Sequence, residues 1–330
     1  THNVGENRGF DFNMTGSAFS LPAGDVKLGY GGDYYRVDSA SSPDAIFFSG
    51  DLLGLNGSNP TTTRGYGGGI FAALQIPVIS PAMKIPLVNS LKLQVEGRYD
   101  YQTVEGYQNG ASGAAIGHSF TSQNPKVGLQ WNPIEDLLLR GTWSTGFRLP
   151  GLGSLFAAQG TSNPSLNDPL GFSIANQTQI TTQGNPNLSP EKSKTYSFGF
   201  VFSPKAVSGL SVALDYYYGA INGLVGEGSQ YILNVNASGQ GSGFQRGNPA
   251  TINPNAPFAS LITRSATGSV VTVASTNFNI SSRETTGVDW SVTYVWPAKE
   301  FGRFVTRLDW NTALSWDLTP VQGAQPLFFL

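Results

Sequence analysis

The stretch TWSTG at 142–146 stands one residue away from the G-x-S-x-G turn that presents a nucleophilic serine, with Thr142 where the first glycine belongs. That turn also needs a strand before it and a helix after it, and no helical spacing follows. Ser189 and Lys192 satisfy S-x-x-K, whose chemistry requires a helix to hold both side chains. The surrounding sequence has no helical period, so the motif reads as turn chemistry leading into a strand. Glycine-rich GYGGG at 65–69 and GQGSG at 239–243 could cradle phosphate only between a strand and a helix, and neither is placed so. The two histidines, His2 and His118, lie in polar sequence without a second histidine or an acidic cluster at metal-ligand spacing. They read as solvated residues. No catalytic constellation is present, and the sequence predicts neither an enzyme, nor a metal site, nor a cofactor.

A different chemistry is written in the charges. Lys92, Glu96, Arg98 and Asp100, then Arg140, Asp215, Arg307 and Asp309, fall on one parity of segments whose other parity is apolar. Such a pattern predicts a wet wall of mutually compensated charges, lining a lumen and pairing with one another or with a plug. Tyr107, Phe147, Arg148, Asn185, Asn187, Tyr231 and Arg246 fall instead in polar, irregular stretches. They are the candidates for ligand contact, because binding residues favour loops carried on a rigid scaffold.

The elements that position these residues are strands. Val26, Leu28, Tyr30 and Tyr34 alternate with Lys27, Gly29, Gly31 and Asp33; Leu91, Leu93, Val95 and Tyr99 oppose the charged set from Lys92 to Asp100. Tyr196, Phe198, Phe200 and Phe202 show four aromatics on one face, and the same alternation recurs near 127–131, 137–144, 210–216, 288–294 and 308–316. With weaker segments near 8–20 and 65–76, about ten strands are expected, more than an ordinary sheet holds. Short connections at 21–24, 132–136, 204–209 and 297–302, with a somewhat longer linker at 77–90, alternate with long polar ones at 38–63, 104–119, 147–191 and 222–280. In an up-and-down sheet this puts every long loop at one end, the asymmetry of transmembrane β-barrels. Trp131, Phe202 and Trp296 each close a strand on the apolar parity, with a proline within two residues. They predict an aromatic girdle at the membrane surface nearest the short turns.

Composition agrees. Charged residues make up 12% of the 330, against roughly 25% in soluble domains, while aromatics also reach 12% and 41 residues are glycine. A net charge of -2 offers no basic excess for nucleic acid. Cysteine is absent, which excludes a disulfide framework. No apolar run approaches the roughly 20 residues of a membrane helix. The opening THNVGENRGF has neither the basic region nor the apolar core of a signal peptide, and both ends read as cuts through a longer chain.

Several segments resemble the barrel domain of TonB-dependent outer-membrane receptors: LPAGDVKLGYGGDYYR (21–36), LKLQVEGRYDYQ (91–102), NPKVGLQWNPIEDLLLRGTWSTGFRLPGLGSLF (124–156), GNPNLSPEKSKTYSFGFVFSP (184–204) and TTGVDWSVTYVW (285–296). They stand in family order and cover most of residues 20 to 300. The resemblance implies an all-β fold, an antiparallel up-and-down transmembrane β-barrel of 22 strands in the bacterial outer membrane, closed by an N-terminal plug with an energy-coupling box. Residues 1–330 then form a partial barrel domain, without the plug and the remaining strands. The implied partners are outer-membrane lipid, the TonB complex through the missing plug region, and a small nutrient such as a siderophore, cobalamin or a glycan. Two other classes share parts of the pattern: a passive porin-like or adhesin-like barrel, and a soluble β-rich carbohydrate-binding module. A plug and coupling box upstream of residue 1 would separate the transporter from the porin.

Overall fold

The computed structural model describes residues 2–49, 60–107, 115–172, 176–319 and 327–328. Alternation of large apolar with small or polar residues becomes extended, paired backbone throughout. The first half comprises β1 (His2–Leu21), β2 (Gly24–Ser42), α1 (Ala45–Ser49), β3 (Thr61–Ile79), β4 (Ser90–Tyr107), β5 (Ile116–Ile134), β6 (Leu137–Arg148) and α2 (Leu152–Phe156). Short strands β7 (Gly160–Ser162), β8 (Ser165–Leu166), β9 (Asn176–Gln177) and β10 (Gln179–Gln183) precede the long β11 (Glu191–Phe202) and β12 (Leu210–Glu227). After these come α3 (Ser229–Ser238), β13 (Ile262–Arg264), β14 (Val270–Pro297), β15 (Arg303–Thr319) and β16 (Leu327–Phe328).

Ten of these strands are long, and they follow one another across a single antiparallel sheet: β1 to β6, then β11, β12, β14 and β15. Among the described residues β1 pairs only with β2, and β15 pairs with β14 and β16, so the sheet is open between its two ends. Short turns close one end. At Gly209 the backbone takes φ 88°, and the Val295 N–H donates to the Gly209 carbonyl at 2.9 Å. A Cβ there would stand 1.9 Å from the Val295 carbonyl oxygen, so only glycine makes this turn.

The strands outrun the sequence-based bounds at the other end. β2, β4 and β12 continue to Ser42, Tyr107 and Glu227, and β5 and β14 begin already at Ile116 and Val270, inside stretches read as loops. Above the apolar band the outward face no longer meets an apolar medium, while the long connections bury apolar residues such as Val104, Ile116 and Phe120 on the other face, so the period-two signal fades while backbone pairing goes on. As a result the connection 108–115 is no longer than the one at 80–89. The length asymmetry rests on 43–60, 149–190 and 228–269. The last of these also holds the helix α3, which a period-two reading does not predict.

Among the described residues, no layer covers the apolar parity of the ten strands. Phe10 is 67% exposed, Ile70 65%, Phe198 61% and Trp310 57%. The chain shows 19247 Å² of surface, where a soluble protein of its 35.0 kDa would show about 13,000 Å². A soluble sandwich would bury one face of each sheet against the other. The two buried apolar clusters among the described residues lie instead where the long connections meet the outer ends of the strands: Leu166, Ile180, Ile232, Leu233, Val270 and Val273 in one, and Val104, Leu155, Phe156 and Leu188 in the other. In the first, β10 runs parallel to the outer part of β14, β7 is antiparallel to β10, and β13 is antiparallel to β14.

Candidate functional site

All eight charged residues expected on a wet wall share the polar parity, and one register row crosses eight strands of the sheet. It runs from Pro77 through Lys92, Gln130, Arg140, Gly199, Asp215 and Asp289 to Asn311. Strands lie about 4.8 Å apart, so a side chain that pairs two strands away must lie flat over the strand between. Glycine makes this possible. Arg140 crosses Gly199 to donate from Nε to Asp215 Oδ1 at 2.8 Å and from its second nitrogen to Oδ2. A Cβ on Gly199 would stand 2.4 Å from Asp215 Oδ1. Arg98 crosses Gly69 in the same way, reaching Asp33 at 2.6 Å while its Nε donates to Asp100 at 2.8 Å. Tyr217 lies over Gly287, and Asn311 donates to its hydroxyl at 3.2 Å.

The remaining wall charges also compensate one another. Lys126 meets Glu96 at 3.2 Å and Arg307 meets Asp309 at 2.8 Å. Lys92 has no hydrogen-bond or ion-pair partner among the described residues. The wall is therefore polar, nearly neutral and flattened.

Above it, the connection 149–190 folds back across the polar face. Leu155 and Phe156 of α2 are fully buried against Val104 of β4, with Ile116 and Phe120 of β5 beside them. Phe156 takes the space a Cβ would fill on Gly106. Asparagines clip the connection down. Asn185 Nδ2 donates to the Asn277 carbonyl at 2.8 Å, and Asn277 Nδ2 donates to the Ser154 carbonyl at 3.2 Å. Asn279 donates to the carbonyls of Ser189 and Gly223 at 2.8 and 2.7 Å. At the base, Arg148 forms a two-pronged pair with buried Glu191, at 2.8 and 2.9 Å, and Glu191 also accepts the Val225 N–H at 3.0 Å.

The seven loop candidates do not converge. Tyr107 and Phe147 stand on the outward parity of β4 and β6, Tyr107 lining a hollow of about 200 Å³ with Glu6, Asp38, Arg64 and Glu105. Arg148 and Asn185 hold the connection in place, and the Asn187 N–H donates to Asn185 Oδ1 at 2.9 Å. Tyr231 packs in an aromatic trio, 5.9 Å from Phe258 and 5.4 Å from Phe278. Arg246 alone of the seven keeps an exposed charge without a partner among the described residues. It lies against Gly171, beside the edge-to-face pair Phe172 and Phe244. Glu191, Asn277 and Asn279 escaped the sequence reading because nothing in their spacing marks partners about 30 to more than 100 residues away.

Phe202 ends β11, and Trp131 and Trp296 lie within three residues of the ends of β5 and β14, all next to short turns. These are alternate strands, so the three rings do not touch; Trp296 packs instead on Phe304 of β15, at 5.2 Å between ring centres. The Trp131 indole N–H donates to the Leu87 carbonyl at 3.2 Å.

The family model for TonB dependent receptor-like, beta-barrel, matches residues 1–326. The chain belongs to this family. TonB-dependent receptor barrels are bacterial outer-membrane proteins and transport receptors rather than enzymes, and this barrel shares that membrane. Solved structures agree in fold. The Serratia marcescens hemophore receptor HasR, a double mutant in complex with its hemophore HasA and heme, is 14% identical with a TM-score of 0.57, over 94% of this chain and 42% of that one. The copper transporter OprC is 12% identical with a TM-score of 0.50, over 96% of this chain and 42% of that one. A mutant of the ferric enterobactin receptor PfeA of Pseudomonas aeruginosa is 9% identical with a TM-score of 0.50, over 94% and 44%. The TonB-dependent receptor barrel described here thus spans under half the length of these structures. No curated protein sequence matched it.

Proposed function

We propose that the intact receptor imports a scarce nutrient, a siderophore, cobalamin or a glycan, bound on the extracellular side and driven inward by TonB-derived energy. The ten long strands are then part of a 22-stranded barrel, and the plug and the other strands lie outside these 330 residues. Its apolar parity faces outer-membrane lipid, and its flattened polar parity lines the interior. The observation that carries the reading is α2: its connection closes over the polar face at β3 and β4 rather than standing clear of it. That arrangement suits a receptor that must be worked to pass its cargo better than a passive pore.

Arg246 is the leading contact for cargo. The connections 149–190 and 228–269 contain three charged residues, Asp168, Arg246 and Arg264. Arg264 forms a buried two-pronged pair with Asp168, at 2.6 and 3.1 Å, which leaves Arg246 as the uncompensated charge.

Uptake tests the proposal. Cells lacking the receptor are given the full-length gene, with or without a working TonB, and supplied with labelled ferric chelate, cobalamin or oligosaccharide. Accumulation of one cargo that requires both receptor and TonB is expected. Entry that persists without TonB would identify a passive barrel instead.

A further inference from the structure

Asn222 and Gly223 form the one Asn-Gly pair within the described residues. They stand on β12 where its pairing breaks. On one side the register with β11 ends at Lys192 opposite Asn222. On the other, the register with β14 jumps from Asn222 opposite Ser282 to Leu224 opposite Ser281, and then to Val225 opposite Asn279. Gly223 therefore has no register partner on either neighbouring strand, and its φ is 70°. A bulge of this kind leaves the extra residue out of the ladder. Asn222 is exposed, and its side-chain amide has no hydrogen-bond partner among the described residues.

Asparagine followed by glycine is a chemically reactive pair. The glycine nitrogen can attack the side-chain carbonyl carbon of the asparagine, because glycine has no Cβ to obstruct the approach. In a regular ladder the strands on both sides would hold that backbone still. Here neither does. A counter-ion for the product also stands ready: Lys192, opposite Asn222, is exposed and has no partner among the described residues. A carboxylate at residue 222 would complete an opposite-charge pair across the two strands.

We propose that Asn222 is a site of spontaneous deamidation, and that its conversion to isoaspartate loosens the connection 149–190. The Gly223 nitrogen bonds to Asn222 Cγ, the side-chain amide nitrogen leaves as ammonia with the proton from Gly223, and a succinimide closes. Water then opens the ring. Cleavage at the backbone carbonyl leaves isoaspartate, and cleavage at the side-chain carbonyl leaves aspartate. Water is consumed, ammonia is released and no electrons are transferred. Isoaspartate routes the main chain through an additional methylene directly before Gly223, whose carbonyl accepts from Asn279 Nδ2 at 2.7 Å. Asn279 is the clip at the descending end of the connection. Its Nδ2 also donates to the Ser189 carbonyl at 2.8 Å, and its Oδ1 accepts the Ser189 N–H at 2.9 Å. Displacing Gly223 removes one support of that clip. The device is independent of which cargo the receptor carries.

The test ages full-length receptor in mild detergent at neutral and at alkaline pH, and maps its peptides by mass spectrometry. The peptide holding residue 222 should gain the mass difference between a hydroxyl and an amino group, as separate aspartate and isoaspartate forms, faster at the alkaline pH. Limited proteolysis within 149–190 should quicken as isoaspartate accumulates. Asn222→Gln should age without isoaspartate at that position and keep the protease resistance of fresh parent. Freshly prepared Asn222→Asp, which carries the charge on an ordinary backbone, should resist protease equally well, so that rerouted backbone is told apart from added charge. An aged parent unmodified at residue 222, with isoaspartate appearing there only after denaturation, would overturn the site. Equal quickening in aged Asn222→Gln, or in fresh Asn222→Asp, would overturn its link to the connection.

Discussion

Arg140 on β6 and Asp215 on β12 form a two-pronged ion pair across β11, over the bare backbone of Gly199. The same device joins Arg98 to Asp33 over Gly69. Charges that would otherwise project from the polar face lie flat against it and neutralise each other. A wall of this kind stays wet without presenting a net field to whatever fills the interior.

That geometry makes Gly199 sensitive. A Cβ at this position would meet the Leu214 carbonyl oxygen at 2.2 Å, and backbone cannot swing aside. Gly199→Ala should cost about 1–3 kcal/mol, the range for overpacking. Gly97, on the outward parity of β4, has nothing within 4 Å of its would-be Cβ. There alanine should stabilise by about 0.5–1 kcal/mol through the lost freedom of glycine. Reversible unfolding of the full-length receptor in bilayers reads both, and equal effects at the two sites would remove the bridging argument.

The two faces should respond oppositely to charge. Phe200→Arg or Val292→Arg, on the lipid-facing parity, should cost about 2–4 kcal/mol near the bilayer midplane. Thr293→Arg, one residue along on the polar parity, should be close to neutral. The same unfolding experiment decides it, and similar costs on both faces would count against the membrane placement.

The α2 connection has its own core. Phe156→Ala empties a fully buried aromatic site and should cost about 3–5 kcal/mol locally. Because that cluster joins a connection to the wall, the loss should appear as faster proteolysis and hydrogen exchange within 149–190. The long strands should keep their protection. Uniform loosening of the strands would show that the connection is part of the global fold instead.

Binding and stability should separate at two arginines. Arg246→Ala should lose about 1.5–3 kcal/mol of cargo affinity, the range for a hydrogen bond to a charged group, with unfolding unchanged. Arg148→Ala removes the partner of buried Glu191, and should lower stability before it alters binding. Titration calorimetry alongside denaturation distinguishes them; an unchanged affinity in Arg246→Ala would withdraw that residue from the site.

What the sequence made legible follows the membrane. Tyr196 to Phe202 could be read as a strand because one face meets lipid and the other water, which writes alternation into the residues. The outer ends of the strands, Val104 of β4 among them, could not, since there the long connections bury apolar residues on the otherwise polar parity and the alternation is lost. The polar parity of Arg140 and Asp215 was visible, but their pairing was not. It depends on a register that brings residue 140 beside residue 215 with Gly199 between. The burial of Phe156 was equally hidden, because its partner Val104 belongs to a strand two places away in the sheet.

The account stands most directly on which end of the sheet faces the outside, and the absence of native cysteine makes that measurable. Single cysteines at Ser242, in the connection 228–269, and at Ala206, in the short turn after β11, are both at exposed positions. In full-length receptor on intact cells, Ser242→Cys should react with a membrane-impermeant thiol reagent, and Ala206→Cys should react only once the outer membrane is opened. Labelling of Ala206→Cys on intact cells, with Ser242→Cys protected, would invert the topology and contradict the account.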